Sequence, residues 1–331
     1  MTITRRAPSV APLWISAYLA LRVYWAATGT PSGLSPVESD LVAFTGWGAA
    51  VLCAVAAAAG FVLLHTDLDG TPRRLLLGTA WAASLALVAS SALLLLDVIG
   101  AVFPGLGIEF YPLGALSRAA CAGGGVLLGL LTLAYQRRKG RRAPVAYTRT
   151  PLWAYAAAYV SVAGCVVRIA AQAVVGFGES PLATGSALLF EAAFLLAGTV
   201  LPLSLAHRWG RIWPLWIPVL RGRPVPRRLV LWPAVGVAAG INVYFGLMLL
   251  QMFWERLHGR NPFPPDGDMA LPETFFWVAV PAYWVWGAGL AAAALAYARR
   301  TQTAPPEGSG EGDPAGPGRS TRVNSADPCE R

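Results

Sequence analysis

Apolar residues run along this chain in eight long blocks, and short polar segments separate the blocks. The stretch from Leu75 to Leu96 contains no charged residue, and the stretch from Leu41 to Leu64 is similar. Each block reaches the roughly 20 residues that a helix needs to cross a bilayer. The pattern predicts membrane spans near residues 12–29, 41–65, 75–102, 113–136, 152–176, 182–206, 229–252 and 273–298.

The spans are predicted to be α-helices, because hydrocarbon offers no hydrogen-bond partner and a helix satisfies its own backbone. The strands of a membrane β-barrel would instead alternate apolar and polar residues, and these blocks do not. Composition agrees, since 56% of the 331 residues are hydrophobic and only 13% are charged, about half the usual charged share. We therefore expect an all-α, polytopic integral membrane helix bundle.

The positions of the charges predict how the chain threads the membrane. A net charge of +9 is compatible with nucleic-acid binding, but the basic residues lie in short loops, so we expect no nucleic-acid partner. Residues 1–11, 66–74, 137–151, 207–228 and 299–331 carry 21 of the 26 Lys and Arg residues. Because basic loops stay in the cytoplasm, both termini are predicted to be cytoplasmic. Arginine outnumbers lysine 25 to 1, which favours a high-GC bacterium and hence a bacterial plasma membrane.

The two halves of the chain share an ordered set of short matches. In the first half, Arg22 precedes Gly29 and Ser35-Pro36, and in the second half Arg168 precedes Gly176 and Ser180-Pro181. A histidine ends the second span (His65) and the sixth span (His207). The sequence Pro-Arg-Arg opens the third span at 72–74 and the seventh at 226–228. The order predicts two parallel four-helix repeats related by an axis along the membrane normal. The alternative is coincidence within a composition rich in Ala, Leu, Arg and Pro.

The same features divide the chain into five segments. We expect a cytoplasmic N-terminus (1–11), a first membrane repeat (12–136), a basic cytoplasmic linker (137–151), a second membrane repeat (152–298) and a cytoplasmic tail (299–331). The tail is rich in Gly, Pro and Ser, so it is predicted to be disordered. The loop 207–228 interleaves Trp with Arg, which favours a position on the inner membrane surface.

Two short runs resemble motifs of known proteins. Leu21-Arg22-Val23-Tyr24-Trp25-Ala26 and His207-Arg208-Trp209-Gly210-Arg211 are similar to stretches of uncharacterised actinobacterial multipass membrane proteins, the DUF3995-like group. The resemblance implies a bacterial plasma membrane protein and carries no known activity or functional residue.

Standard catalytic and metal-binding signatures are absent from the sequence. The chain has no P-loop, no His-Glu-x-x-His, no Cys-x-x-Cys and no Gly-x-Ser-x-Gly. His65 and His207 lie at the inner ends of predicted helices and His258 lies in an outer loop, so the three histidines are not expected to form one metal site. We therefore expect neither a metal nor a cofactor.

Five ionisable residues within the spans are the strongest candidates for function, because charge inside a membrane is costly. At 1.5 Å per residue, each falls roughly 8–14 Å inside the outer end of its helix, so they share one layer. They are Arg22, Asp97, Arg118, Arg168 and Glu191. We expect Arg22 to pair with Asp97 and Arg168 with Glu191, which leaves Arg118 for an anion.

Helical spacing extends this layer with aromatic and polar neighbours. Candidate binding residues besides the three arginines are Tyr18, Trp25, Ser161 and Gln251, each on a stripe predicted to face the bundle interior. The best-supported function is a transporter or amphiphile-binding membrane protein, with an outer-half pocket for an anionic or amphiphilic small molecule. One alternative is an intramembrane enzyme on a lipid or isoprenoid, with Asp97 or Glu191 as the catalytic acid. The other is a non-catalytic membrane scaffold or sensor partner, whose arginines only fix helix packing.

Overall fold

The computed structural model describes residues 10–31, 34, 44–139, 150–176, 187–213, 221–263 and 271–301. Within these ranges the chain is helical apart from loops and one isolated antiparallel bridge between Ile212 and Pro224. The helices are α1 (Ala11–Thr28), α2 (Gly46–His65), α3 (Gly70–Ala89), α4 (Leu94–Val102), α5 (Pro112–Lys139), α6 (Leu152–Val175), α7 (Ala187–Leu195), α8 (Leu201–Ala206), α9 (Arg227–Leu257) and α10 (Glu273–Arg300).

The all-helical architecture is confirmed for the described residues. Seven segments there are long and apolar enough to cross a membrane, with α3 and α4 counting as one segment and α7 and α8 as another. The helix α1 has 18 residues and is not among the seven, because Arg22, Pro12 and its Trp and Tyr residues lower its mean hydropathy. Most of the predicted N-terminus (1–9), of the linker (140–149) and of the tail (302–331) lies outside the described residues.

Two of the predicted spans are interrupted. The third breaks at 90–93, where the hydroxyls of Ser90 and Ser91 donate to the carbonyls of Ala86 and Val88 at 2.8 and 2.7 Å. Serines that bond backward in this way weaken the helix around them. The sixth span has a π-helical turn, Leu196–Val200, immediately before α8. Because Pro202 lacks an N–H and crowds the preceding turn, the wider turn relieves the helix there.

The first half of the chain forms a bundle of α1 to α5, here called the first bundle. Helix α1 packs on α2 and α5, while α3 packs on α2 and α5 in turn. Glycines allow the close contacts, since a Cβ on Gly125 would lie 2.9 Å from the Ser84 carbonyl oxygen. The core is mostly Ala and Leu, with Ile15, Tyr18 and Tyr135.

The second half forms the second bundle, α6 to α10. Helix α6 packs on α10 and α8, and α9 packs on α10 and α8. The backbones of α6 and α10 approach closely, because a Cβ on Gly164 would lie 2.7 Å from the Ala282 carbonyl oxygen. One on Gly289 would lie 2.7 Å from the Ala157 carbonyl oxygen. Small residues permit such contact in membranes, where no hydrophobic effect drives helices together.

The first helix of each bundle ends on a glycine, and the two bundles contact each other. Helix α1 ends at Gly29 (φ 97°, ψ 143°) and α6 at Gly176 (φ 96°, ψ 139°), a positive φ that glycine adopts readily. The third helices touch across the bundles, with α9 against α3 and α4. The ring of Phe103, at the end of α4, meets that of Phe190 on α7 edge to face at 5.4 Å.

Candidate functional site

Arg22 lies in an aromatic cage in the first bundle. The guanidinium carbon Cζ is 4.2 Å from the centroid of the Phe44 ring and 5.6 Å from those of Tyr18 and Trp25. One terminal nitrogen donates to the Phe44 carbonyl at 2.5 Å, whereas the buried Nε has no hydrogen-bond partner among the described residues. The predicted stripe of Tyr18, Arg22 and Trp25 is buried as one face of α1.

A second contact ties this cage to α5. The hydroxyl groups of Tyr18 and Ser117 are 3.0 Å apart and hydrogen-bonded. The thiols of Cys53 and Cys121 are also buried beside Arg22. Among the carboxylates that the structure describes, none forms an ion pair with Arg22. Aromatic rings attract the guanidinium through their faces, but they leave its charge without a counterion there.

Asp97 pairs with Arg118 and not with Arg22. The Arg118 guanidinium donates through Nε to Oδ2 at 2.5 Å and through a terminal nitrogen to Oδ1 at 2.8 Å. The side chains of Asp97 and Arg118 are only 1% and 11% exposed. The expectation that Arg118 is left over for an anion is therefore wrong. Helix depth places Arg22 and Arg118 at the same level, but only α5 directs its arginine at the N-terminal turn of α4.

The same arginine also fixes the loop after α1. Its terminal nitrogen donates to the Leu34 carbonyl at 2.8 Å. That carbonyl fits against α5 because position 114 is glycine: a Cβ there would lie 1.9 Å from the oxygen. The Arg118 guanidinium thus hydrogen-bonds both to Asp97 and to the carbonyl of Leu34. These bonds join α4 and α5 to Leu34, which follows α1.

Arg168 occupies a comparable aromatic site in the second bundle. Its Cζ is 4.8 Å from the centroid of the Phe194 ring and 5.5 Å from that of Tyr283. In the part of the chain that the structure describes, neither the buried Nε of Arg168 nor the indole Nε1 of Trp286 has a hydrogen-bond partner. The Trp286 ring meets that of Phe194 at 4.8 Å, so two unsatisfied N–H donors flank one phenylalanine.

Ser161 and Glu191, two further predicted residues, do not contact Arg168. The Ser161 hydroxyl is buried and donates to the Trp286 carbonyl at 3.0 Å, so it joins α6 to α10. Glu191 is exposed and forms no ion pair with Arg168. The ring of Phe194, one turn further along α7, faces Arg168 in its place.

Gln251 is also exposed, so its predicted interior position is wrong. Its neighbour Met252 is the buried residue, packed with Phe276 and Val280 of α10. Helix α9 has 31 residues and measures about 46 Å, against about 30 Å of hydrocarbon. A helix of this length exceeds the hydrocarbon thickness by about 16 Å, so a residue in its last two turns need not face lipid or the bundle interior.

The candidate residues accordingly lie in several places: Arg22 and Arg168 occupy two separate aromatic sites, Asp97 and Arg118 form a third group, and Glu191 and Gln251 are exposed. The described contacts of the Arg22 guanidinium are with Tyr18, Trp25 and Phe44, all of the first half. Those of Arg168 are with Phe194 and Tyr283 of the second half. Sequence reasoning missed Phe44, Phe194, Tyr283 and Trp286, because they come from other elements than the arginines and follow no shared spacing. In the described residues, no three His, Cys, Asp or Glu side chains are grouped as metal ligands.

The comparisons with known proteins give no relative. The chain matches no protein-family model, no curated protein and no solved structure.

Proposed function

We propose that this chain is a multi-pass protein of the bacterial plasma membrane that binds, and as a transporter moves, an amphiphile with an anionic head group. Seven helices that are long and apolar enough to cross a membrane support the membrane setting. The DUF3995-like resemblance and the imbalance of basic residues between loops support a bacterial inner membrane with both termini in the cytoplasm.

The observation that carries the proposal is the pair of aromatic arginine sites. A guanidinium taken out of water costs several kcal/mol, about as much as a well-made ion pair returns. Arg22 and Arg168 face rings instead, and each retains a buried Nε–H without an acceptor. A phosphate, sulfate or carboxylate head group would supply both the acceptor and the negative charge. The rings beside each guanidinium suit the first methylenes of the attached chain.

Two further observations support an internal repeat in this protein. The first helix of each half carries the caged arginine and ends on a glycine with nearly the same φ and ψ. The third helices, α3 and α9, are in contact, as expected if a pseudo-twofold axis passes between them. A repeat would give the protein two equivalent head-group sites, one in each bundle.

The test is binding of dodecyl phosphate to the purified protein in dodecyl maltoside, which has the same alkyl chain and a neutral head. Tryptophan fluorescence reports on it, because Trp25 lies beside Arg22 and Trp286 beside Arg168. We expect Arg168→Gln and Arg22→Gln each to weaken binding by about tenfold, the effect of losing one charge-assisted hydrogen bond.

The matched control is Arg260→Gln, since Arg260 lies in an exposed loop and pairs with Glu255. It should bind dodecyl phosphate as the wild type does. If dodecyl phosphate has no effect on the wild type, or if Arg260→Gln weakens binding as much as Arg168→Gln, the proposed head-group sites do not exist.

A further inference from the structure

Three arginines converge at the opposite end of the second bundle from Arg168. Two hydrogen bonds bring Arg211 and Arg227 close to Tyr297 and Arg300. Arg227 donates to the carbonyl of Ala298, the residue after Tyr297, at 3.2 Å, and the Tyr297 hydroxyl donates to the carbonyl of Gly210, the residue before Arg211. The Arg300 Cζ lies 5.5 Å from the centroid of the Tyr297 ring. Helix α6 begins at Leu152 at this end of the bundle. Arg168 lies sixteen residues further along the helix, which is roughly 24 Å away.

These arginines have no counterion among the described residues. The ion pairs described for the chain involve Arg118, Arg256 and Arg260, and none of those is at this end. Within the described part of the chain, the buried Nε groups of Arg211 and Arg300 also have no hydrogen-bond partner. Like charges gathered without an acid repel one another, and an anion placed among them would relieve that repulsion.

Hydrogen bonds fix the backbone around the cluster, so the positions of the arginines are defined by the fold. Arg300 donates to the carbonyls of Leu205 and Ala206, at 2.8 and 3.3 Å. Tyr297 donates to the Gly210 carbonyl at 3.2 Å. Gly210 lies so close to α8 that a Cβ would fall 1.8 Å from the Ser204 carbonyl oxygen. These contacts position Arg211, the next residue along the chain.

A long apolar groove of about 520 Å³ opens beside the cluster. One wall is the π-helical turn and α8, and the other is the start of α9. Trp209 and Trp213 lie at its mouth, with Val225, whose N–H donates to the Arg211 carbonyl at 2.8 Å. The apolar groove and the arginine cluster therefore share the backbone of residues 209–213 and 223–225.

We propose that Arg211, Arg227 and Arg300 hold the phosphate of an anionic phospholipid, with one acyl chain lying in the groove between α8 and α9. A free phosphate ion would use the arginines and have no need of the groove. A zwitterionic lipid would fill the groove but bring an ammonium group towards three guanidinium groups. Trp beside Arg is the composition found at headgroup depth, and clustered basic residues select anionic lipids.

This site is separate from the two aromatic arginine sites and rests only on the membrane setting of the proposed function, not on the amphiphile sites. Its test uses the full-length protein, stripped of lipid in detergent and offered phosphatidylglycerol and phosphatidylcholine of identical acyl chains. Native mass spectrometry counts the lipid retained. We expect one phosphatidylglycerol to be kept in preference to phosphatidylcholine, and an excess of inorganic phosphate not to displace it.

Two variants test the two parts of the site. Arg211→Gln removes a charge from the cluster and should weaken phosphatidylglycerol binding about fivefold. Val200→Trp fills the groove from a lining residue that is 44% exposed, and should weaken it at least as much. Arg300 is left intact because it also bonds to the end of α8.

Each variant has a matched control. Arg138→Gln removes an exposed arginine from the last turn of α5, and Val126→Trp enlarges a valine that is 53% exposed on the same helix. Both should retain phosphatidylglycerol like the wild type. The proposal is overturned if Arg138→Gln reduces retention as much as Arg211→Gln. It is also overturned if both lipids are kept equally, or if phosphate displaces the lipid while Val200→Trp has no effect.

Discussion

The buried pair of Asp97 and Arg118 allows the sharpest prediction about stability. Two short hydrogen bonds join the side chains, and the Asp97 carboxylate is 1% exposed. Asp97→Asn leaves the Arg118 guanidinium buried beside a neutral amide. Removing one partner of such a pair typically costs about 3–5 kcal/mol, because the remaining charge is uncompensated. The loss should also free the Leu34 carbonyl contact, which depends on the same guanidinium.

The size of the effect follows from burial and not from the mere presence of an ion pair. Arg256 and Glu273 form a comparable contact, but their side chains are 54% and 25% exposed. Exposed pairs contribute about 0.2–1 kcal/mol, so Glu273→Gln should cost no more than that. Replacing both buried partners, as Asp97→Leu with Arg118→Met, should recover most of the stability lost in Asp97→Asn, because no charge then remains buried.

The assay is reversible unfolding of the purified protein in mixed micelles, titrated with a denaturing detergent and followed by far-ultraviolet circular dichroism. Single and double variants together form a double-mutant cycle that isolates the coupling between the two side chains. A loss in Asp97→Asn of less than about 1 kcal/mol, equal to that in Glu273→Gln, would refute the reasoning. A double variant less stable than Asp97→Asn would do the same.

Two further predictions concern the helix contacts and the thiols. Gly164→Ala should destabilise the protein by about 1–3 kcal/mol in the same unfolding assay, because its Cβ would meet α10 backbone atoms at 2.7 Å. The Cβ of the control Gly48→Ala enters open space, so that variant should be neutral. Equal losses of stability in the two variants would contradict the close α6–α10 approach. Cys53, Cys121 and Cys165 are at most 1% exposed, so in a Cys329→Ser background none should react with a maleimide until the protein unfolds. Labelling of the folded protein, measured by mass spectrometry, would show that the bundles are looser than described.

The spans could be predicted from the sequence because one requirement, hydrogen bonding of the backbone in hydrocarbon, determines their secondary structure. A chain in hydrocarbon must satisfy its backbone within each segment, so length and apolarity alone predict the helices. The interruptions at 90–93 and at Leu196–Val200 were not predicted, because each relieves a local conflict that hydropathy does not register. Pro202 and the pair Ser90-Ser91 are the signals that would have indicated them.

Side-chain pairing at the candidate sites was less predictable. Helical rise gives the depth of each charge, and Arg22, Asp97 and Arg118 were therefore placed in one layer. Which arginine meets Asp97 depends on how the helices are rotated and packed, and the break before α4 changes that rotation. The helical spacing on α1 correctly placed Tyr18, Arg22 and Trp25 on a buried face, but Trp14 shares that spacing and is 43% exposed. Spacing also failed for Gln251, which is exposed near the end of α9.

Cysteine labelling in intact bacterial cells tests the central claim, that the chain crosses a membrane with its basic loops in the cytoplasm. Arg138→Cys and Arg260→Cys, each in the Cys329→Ser background, place one exposed thiol at opposite ends of the helices. A membrane-impermeant maleimide should label position 260 in intact cells, and position 138 only after the cells are permeabilised. Labelling of position 138 from outside, or equal labelling of both positions, would contradict the account.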